Sequence, residues 1–167
     1  HCISSAASDV YKRQQWMKLI GEQTILTPHM GEMSRLCGLD VSELKEDPVA
    51  RAYQYAEKSG GVLVLKDACT VVTDQNEKLY LNLSGNSGMA TAGSGDVLSG
   101  IIAAVLCMYL SCEEEQELSY KAALAVYIHG LCGDIAREKK GSHGMTAKDM
   151  IEALPEVLKL AEVQSKG

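Results

Sequence analysis

The spacing of apolar residues changes period along the chain, and each change predicts an element. Residues 23–27 (QTILT) form a short apolar run that Pro28 ends, because proline biases the residue before it toward extended geometry; this predicts a strand. Met30, Met33, Leu36 and Cys37 then recur at three and four, predicting a short amphipathic helix closed by Gly38. Residues 41–46 read as a short polar helix or turn. Pro48 sits at a first-turn position of a helix running to Ser59, with Val49, Ala52, Tyr53 and Ala56 on its inner face and Gly60-Gly61 at its end. Residues 62–66 (VLVLK) are apolar without alternation, the pattern of a strand buried on both sides. Residues 70–73, a DQNE turn and residues 78–83 follow as a hairpin-like pair. Its alternation predicts Leu79, Leu81 and Leu83 inward, Tyr80 and Asn82 outward.

Three helices complete the pattern. Residues 96–110 are apolar on nearly every face, which predicts a helix packed in the middle of the protein. An acidic connection (Glu113, Glu114, Glu115, Glu117) predicts a solvated start to the next helix, where carboxylates suit the dipole. Residues 118–140 present a narrow face of small and buried residues: Ala122, Ala125, Val126, His129, Cys132, Gly133 and Ala136. Thr146, with Asp149 at the capping-box offset, opens a last helix whose apolar face is Ile151, Leu154, Val157, Leu158 and Ala161, divided at Pro155. This order predicts an open α/β sheet with helices on its faces. Few strands serve many helices, so the expectation is the C-terminal portion of a larger domain, covering residues 15–167. Residues 1–14 (HCISSAASDVYKRQ) have no Met start, apolar run or period, and read as a non-native scar, with a natural disordered tail as the alternative.

The bulk numbers change this picture little. At 167 residues the chain is one domain by length, and 46% hydrophobic with 23% charged residues is ordinary for a globular protein. Phe is absent, so aliphatics, Ala and Met must fill the core. A net charge of −6 argues against a broad nucleic-acid surface, yet leaves room for a local nest of amides that binds phosphate. The six cysteines show no CxxC pair and no zinc spacing, so a reduced, cytoplasmic setting is expected, with no metal held by side chains and no membrane span.

The candidate chemistry lies in residues 84–95 (SGNSGMATAGSG), a loop dense in Gly and Ser that runs into the apolar helix at Asp96. A helix start leaves amides unpartnered at its positive end, and a glycine loop before it favours phosphate. One reading is an anion hole with Asp96 as the base for an acceptor hydroxyl; the other makes Asp96 an ordinary cap. His29, in a strand-to-helix turn, and Lys66, at the carboxyl end of the buried strand, stand where α/β sheets place ligands. Their plain alternatives are a hydrogen-bonded turn histidine and a charge ending a strand. His129, amid apolar residues, reads as a core histidine.

TPHMGEMSRL (27–36), VLKDACTVVT (64–73) and NLSGNSGMATAGSGDVLSGIIAA (82–104), followed by AVYIHGLCGDIA and GMTAKDMIEALP, together resemble the carbohydrate-kinase-related domain of ADP-dependent NAD(P)H-hydrate dehydratases, in the ribokinase-like superfamily. The resemblance implies a ribokinase-like open α/β sheet with helices on both faces, of which this chain is the C-terminal portion only. It implies ADP-dependent dehydration of hydrated NADH and NADPH, through phosphorylation and loss of phosphate, with ADP (or ATP) and Mg2+ as cofactors and a homo-oligomeric full-length enzyme. By motif match, His29 and Asp96 contact the hydrated dinucleotide, Asp96 as general base. Lys66, Asp67, Ala68, Cys69 and Thr70 line the nucleotide's phosphate side, and Gly93, Ser94 and Gly95 hold phosphate. The family pattern has Pro where Met30 stands, Gly at Asp67 and Gly at Ala92, and an N-terminal glycine-rich loop and an Asp-Ala-Asp strand without counterpart here. The alternatives are a hydroxyethylthiazole-type small-molecule kinase, against which the TPHMGE stretch weighs, and a non-catalytic nucleotide-binding remnant.

Overall fold

The computed structural model describes residues 17–110 and 116–164. The segment read as a scar, the acidic Glu113–Glu115 run and the side chain of Ala161 lie outside the described residues. The chain divides into two compact units, residues 17–81 with 116–123 and residues 82–110 with 124–164.

The first unit holds a sheet of strand order β1-β2-β3-β4. β1 (Ile25–Leu26) lies parallel to β2 (Val62–Leu65), and β3 (Thr70–Thr73) runs antiparallel to β2. β4 (Leu79–Asn82) ends the order. Regular pairing covers only two residues of β1, but Thr24 O accepts from Val62 N–H at 2.9 Å and Pro28 O from Lys66 N–H at 2.8 Å. The extended stretch therefore follows β2 along its length, although the regular strand is shorter than the residues 23–27 expected from the sequence.

α1 (Met30–Cys37), α2 (Val41–Glu46) and α3 (Pro48–Ser59) belong to the core of this unit. Met33, Leu44, Ala52 and Ala56 meet Leu63, Leu65 and Val71 there. The pairing Leu65↔Val71 puts those strand residues on one side, while Val62, Val64 and Val72 point the other way and are also buried. The sheet is thus covered on both faces, which is why VLVL needs no alternation. Each fully buried aliphatic side chain contributes about 1.5–3 kcal/mol. α3 turns Tyr55 rather than Tyr53 into the core.

β4 reverses the expected facing. Leu79, Leu81 and Leu83 are 47, 52 and 85% exposed, whereas Tyr80 and Asn82 are half-buried. Alternation fixes which residues share a face; on an end strand it does not fix which face is covered. Asn82 is drawn in by its own bonds, its Nδ2 donating to Ser84 O at 2.9 Å and its Oδ1 accepting from Ser84 Oγ at 2.8 Å.

The second unit contains α4 (Ser94–Tyr109), most of α5 (Leu118–Lys140) and α6 (Ala147–Gln164). Cys132, Ala136, Met145, Met150, Ala153 and Val157 form its core. The small face of α5 is buried as predicted, including His129. α4 corrects its expectation: Leu98, Ile101, Ile102 and Val105 are buried, but Ala103, Ala104, Cys107 and Met108 are exposed. Uniformly apolar composition told that the helix has an inner face without telling its width. α6 is continuous through Pro155. The carbonyl that proline leaves without a donor belongs to Ile151, a residue on the exposed side of the helix. No helix among the described residues is long and apolar enough to cross a membrane.

Candidate functional site

α4 starts on Gly93, whose φ of +85° is a left-handed conformation that side chains disfavour. A Cβ there would also come within 3.2 Å of Ala147 Cβ. No side chain caps this helix. Ser94 N–H donates to Thr91 O at 3.3 Å, and the Asp96 and Val97 amides converge on Gly93 O at 3.1 and 3.0 Å. The Gly95 amide between them finds no acceptor among the described residues, and it sits at the positive end of a 16-residue helix. Asp96 follows at the third position of the helix with its side chain exposed. The turn therefore offers a donor for an anion with a carboxylate one residue on.

The loop leading to this turn lies on α5. Gly85 N–H donates to Asp134 Oδ2 at 2.9 Å, and Asn86 Nδ2 to Asp134 Oδ1 at 3.0 Å. Asn86 Oδ1 in turn accepts from Gly88 N–H at 3.0 Å, capping the 3-10 turn Ser87–Met89. Ser84 Oγ reaches Tyr127 O at 3.2 Å, and Ser94 Oγ lies 3.4 Å from His129 Nε2. The core reading of His129 holds: it is buried with partners.

In the first unit, His29 and Lys66 come together. They form an isolated parallel bridge at the end of the β1–β2 pairing, and Glu32 joins them. His29 Nδ1 accepts from the Gly31 and Glu32 amides at 3.0 and 3.2 Å, while His29 N–H donates to Glu32 Oε2 at 2.8 Å. This is a reciprocal capping box with an imidazole in the usual place of a serine. Because Nδ1 accepts, the ring proton is on Nε2, 3.5 Å from Glu32 Oε1. Glu32 Oε2 also lies 3.9 Å from Lys66 Nζ. The imidazole is 54% exposed, so it caps α1 and still presents its Nε2–H. Asp67 and Ala68 are exposed after β2, with Cys69 and Thr70 half-buried at the start of β3. The structure thus gathers His29 and Lys66 in one unit and Gly93, Ser94, Gly95 and Asp96 in the other.

Sequence reasoning missed Glu32, Asn86 and Asp134. The signal for Glu32 was available, as the capping-box offset from His29. For Asp134 it was a lone acid one residue beyond the small-residue face of α5. Burial pushes the thiol of Cys132 up to about 11, which keeps it protonated and unreactive.

A family model for NAD(P)H-hydrate dehydratase matches residues 6–156. The chain belongs to the NAD(P)H-hydrate dehydratase family. Among this family's members, the bifunctional NAD(P)H-hydrate repair enzyme Nnr of Thermofilum pendens is 46% identical over 136 residues, covering 81% of this chain and 25% of the relative. The crystal structure of the ADP/ATP-dependent NAD(P)H-hydrate dehydratase from Bacillus subtilis, co-crystallized with ATP/Mg2+ and soaked with CoA, superposes with a TM-score of 0.72 at 34% identity. That match covers 84% of this chain and 53% of the Bacillus chain. A ribokinase-like superfamily protein from Enterococcus faecalis matches with a TM-score of 0.68 at 32% identity, over 83% of this chain and 45% of that one. The fold is accordingly the ribokinase-like α/β fold. The chain spans about a quarter to a half of the length of these relatives.

Proposed function

We propose that these residues form the phosphate-handling part of an enzyme that dehydrates (S)-NADH-hydrate and (S)-NADPH-hydrate at the expense of ADP. The observation that carries this reading is the start of α4: a left-handed glycine, no side-chain cap, an unclaimed Gly95 amide and an exposed Asp96. A helix start of this kind suits phosphate. The glycine at 93 is favoured by its φ and by the approach of Ala147, which keeps the backbone of this turn bare of a side chain. Among the described residues no three His, Cys, Asp or Glu side chains cluster as metal ligands, so Mg2+ would be held by phosphate oxygens and water.

ADP (or ATP) with Mg2+, when bound, supplies the phosphoryl group that turns the ring hydroxyl of the hydrate into a leaving group. Asp96 takes the proton of that hydroxyl. Gly93, Ser94 and Gly95 hold the transferring phosphate, the Gly95 amide and the helix dipole meeting its charge. Lys66, Asp67, Ala68, Cys69 and Thr70 serve the nucleotide's phosphate side; Asp67 is exposed, which keeps its charge in water. His29 meets the hydrated dinucleotide through Nε2–H. The ring nitrogen's lone pair would expel that oxygen as phosphate, and loss of a proton from the neighbouring carbon to solvent would form the ring double bond and return the lone pair to nitrogen. We assign the full-length enzyme to the cytoplasm, as a homo-oligomer with a small-molecule substrate and without nucleic-acid or membrane partners.

The full-length protein carrying these residues, incubated with hydrated NADH and ADP, is expected to regenerate the absorbance of NADH. ATP-dependent phosphorylation of a small alcohol without that regeneration would assign a hydroxyethylthiazole-type kinase. Nucleotide binding without either activity would assign a non-catalytic remnant.

A further inference from the structure

The glycine loop is held by α5 at successive points. Ser84 bonds to Tyr127 O, Gly85 and Asn86 to Asp134, and Ser94 sits against His129. Gly130 and Gly133 provide the close approach: a Cβ on the first would collide with Ser84, and on the second with Met89. We infer that Asp134 is a positioning residue for phosphoryl transfer, fixing residues 85–88 on α5 and, through them, the turn at residues 93–96. The inference rests on the reading that this turn holds phosphate.

The donor and acceptor pattern leaves no substitute for a carboxylate at this position. Its two oxygens accept from two consecutive residues, the Gly85 amide and the Asn86 side-chain amide, at 2.9 and 3.0 Å. Hydrogen bonds to an ionised acceptor are stronger than neutral ones, and two on one carboxylate fix orientation as well as distance. An asparagine at 134 could still accept from Gly85, but its NH2 would face the NH2 of Asn86. Flipping Asn86 would cure that clash and turn its NH2 onto the Gly88 amide, losing the cap of the 3-10 turn. Placing aspartate at 86 and asparagine at 134 satisfies every group again, since the new carboxylate accepts from both the new amide and Gly88.

The test compares Asp134→Asn, and Asp134→Asn combined with Asn86→Asp, in the full-length protein. The single variant is expected to lose about 10- to 100-fold in kcat, with KM for the hydrate within about threefold, because a displaced turn costs transition-state alignment more than ground-state binding. The swapped pair is expected to recover kcat to within about threefold of the parent. A single variant with kcat within about twofold of the parent, or a swapped pair no better than the single, overturns the inference. If the parent itself does not turn over the hydrate, the phosphate reading fails, and amide exchange of residues 85–89 still decides the role of Asp134. Exchange faster by about tenfold in the single variant and restored in the pair supports positioning; unchanged exchange refutes it. Should the single variant not fold, the pair decides alone: parental kcat supports the inference, and an unfolded or inactive pair overturns it.

Discussion

Two helices of this protein start after a loop or strand end with chemistry nearby, and they start in opposite ways. At α1 the chain closes its own end: His29 Nδ1 takes the Gly31 and Glu32 amides, and Glu32 returns the bond to His29 N–H. At α4 a glycine occupies the cap, no side chain turns back, and the Gly95 amide has no acceptor among the described residues. A helix start that caps itself has used the donors an anion would need. On the function proposed above, the difference favours the α4 start over the α1 start for phosphate, and it leaves His29 to act through its Nε2–H, 3.5 Å from Glu32 Oε1.

Five changes break or sharpen this contrast. The largest effect is expected from Asp96→Asn in the full-length protein, which should lower kcat by about 10²–10⁴ if the carboxylate is the base, with thermal stability unaltered because the side chain is exposed. Steady-state kinetics with a melting curve on the same preparation read both.

Gly93→Ala strains a residue at φ +85° and presses on Ala147, so stability should fall by about 1–2 kcal/mol by denaturant titration, with ADP affinity reduced in parallel. Unchanged affinity for ADP would mean the α4 start is not where phosphate sits.

At the closed start, His29→Ala should cost about 1 kcal/mol through the lost cap and leave ADP affinity within about twofold of the parent. His29→Asn separates the two roles of the imidazole, since asparagine caps well but lacks Nε2–H. Stability retained with a raised KM for the hydrate is the expected result; an unaltered KM removes His29 from the substrate.

The smallest effect concerns the start of α6. Thr146 Oγ1 and N–H donate to Asp149 Oδ2 at 2.6 and 2.8 Å. The Thr146 hydroxyl first, then its amide and the nearby Lys140, hold the Asp149 carboxyl below its ordinary value. A depressed carboxyl contributes stability that is present above its unfolded pKa and lost as pH falls through its folded one. The melting temperatures of the parent and Asp149→Ala should therefore differ at neutral pH and converge on acidification. A gap that persists below the carboxylate range would mean another interaction is responsible.

Local rules carried the sequence reading far. α1 was legible to the residue because its apolar period and Gly38 bound it, and the Thr146–Asp149 cap because both partners lie within one turn. What failed depends on the other side of an interface. The leucines of β4 share a face, as alternation requires, yet the inward side belongs to Tyr80 and Asn82. α4 is apolar all round but half covered, and the helix α6 runs on through Pro155, which lies on its exposed side. The glycine-dense loop and the Asp96 at the helix start after it were legible in the sequence as features, with their roles implied by the family resemblance. Asp134 was not, because its partners lie 49 and 48 residues away and only the folded chain brings them together.

The most direct measurement is the backbone amide resonance of Gly95 in the full-length protein, followed while ADP or adenosine is added. A free amide that meets a phosphate should move strongly downfield with ADP and stay in place with adenosine. Saturable ADP binding that leaves the Gly95 resonance where it was would contradict the account.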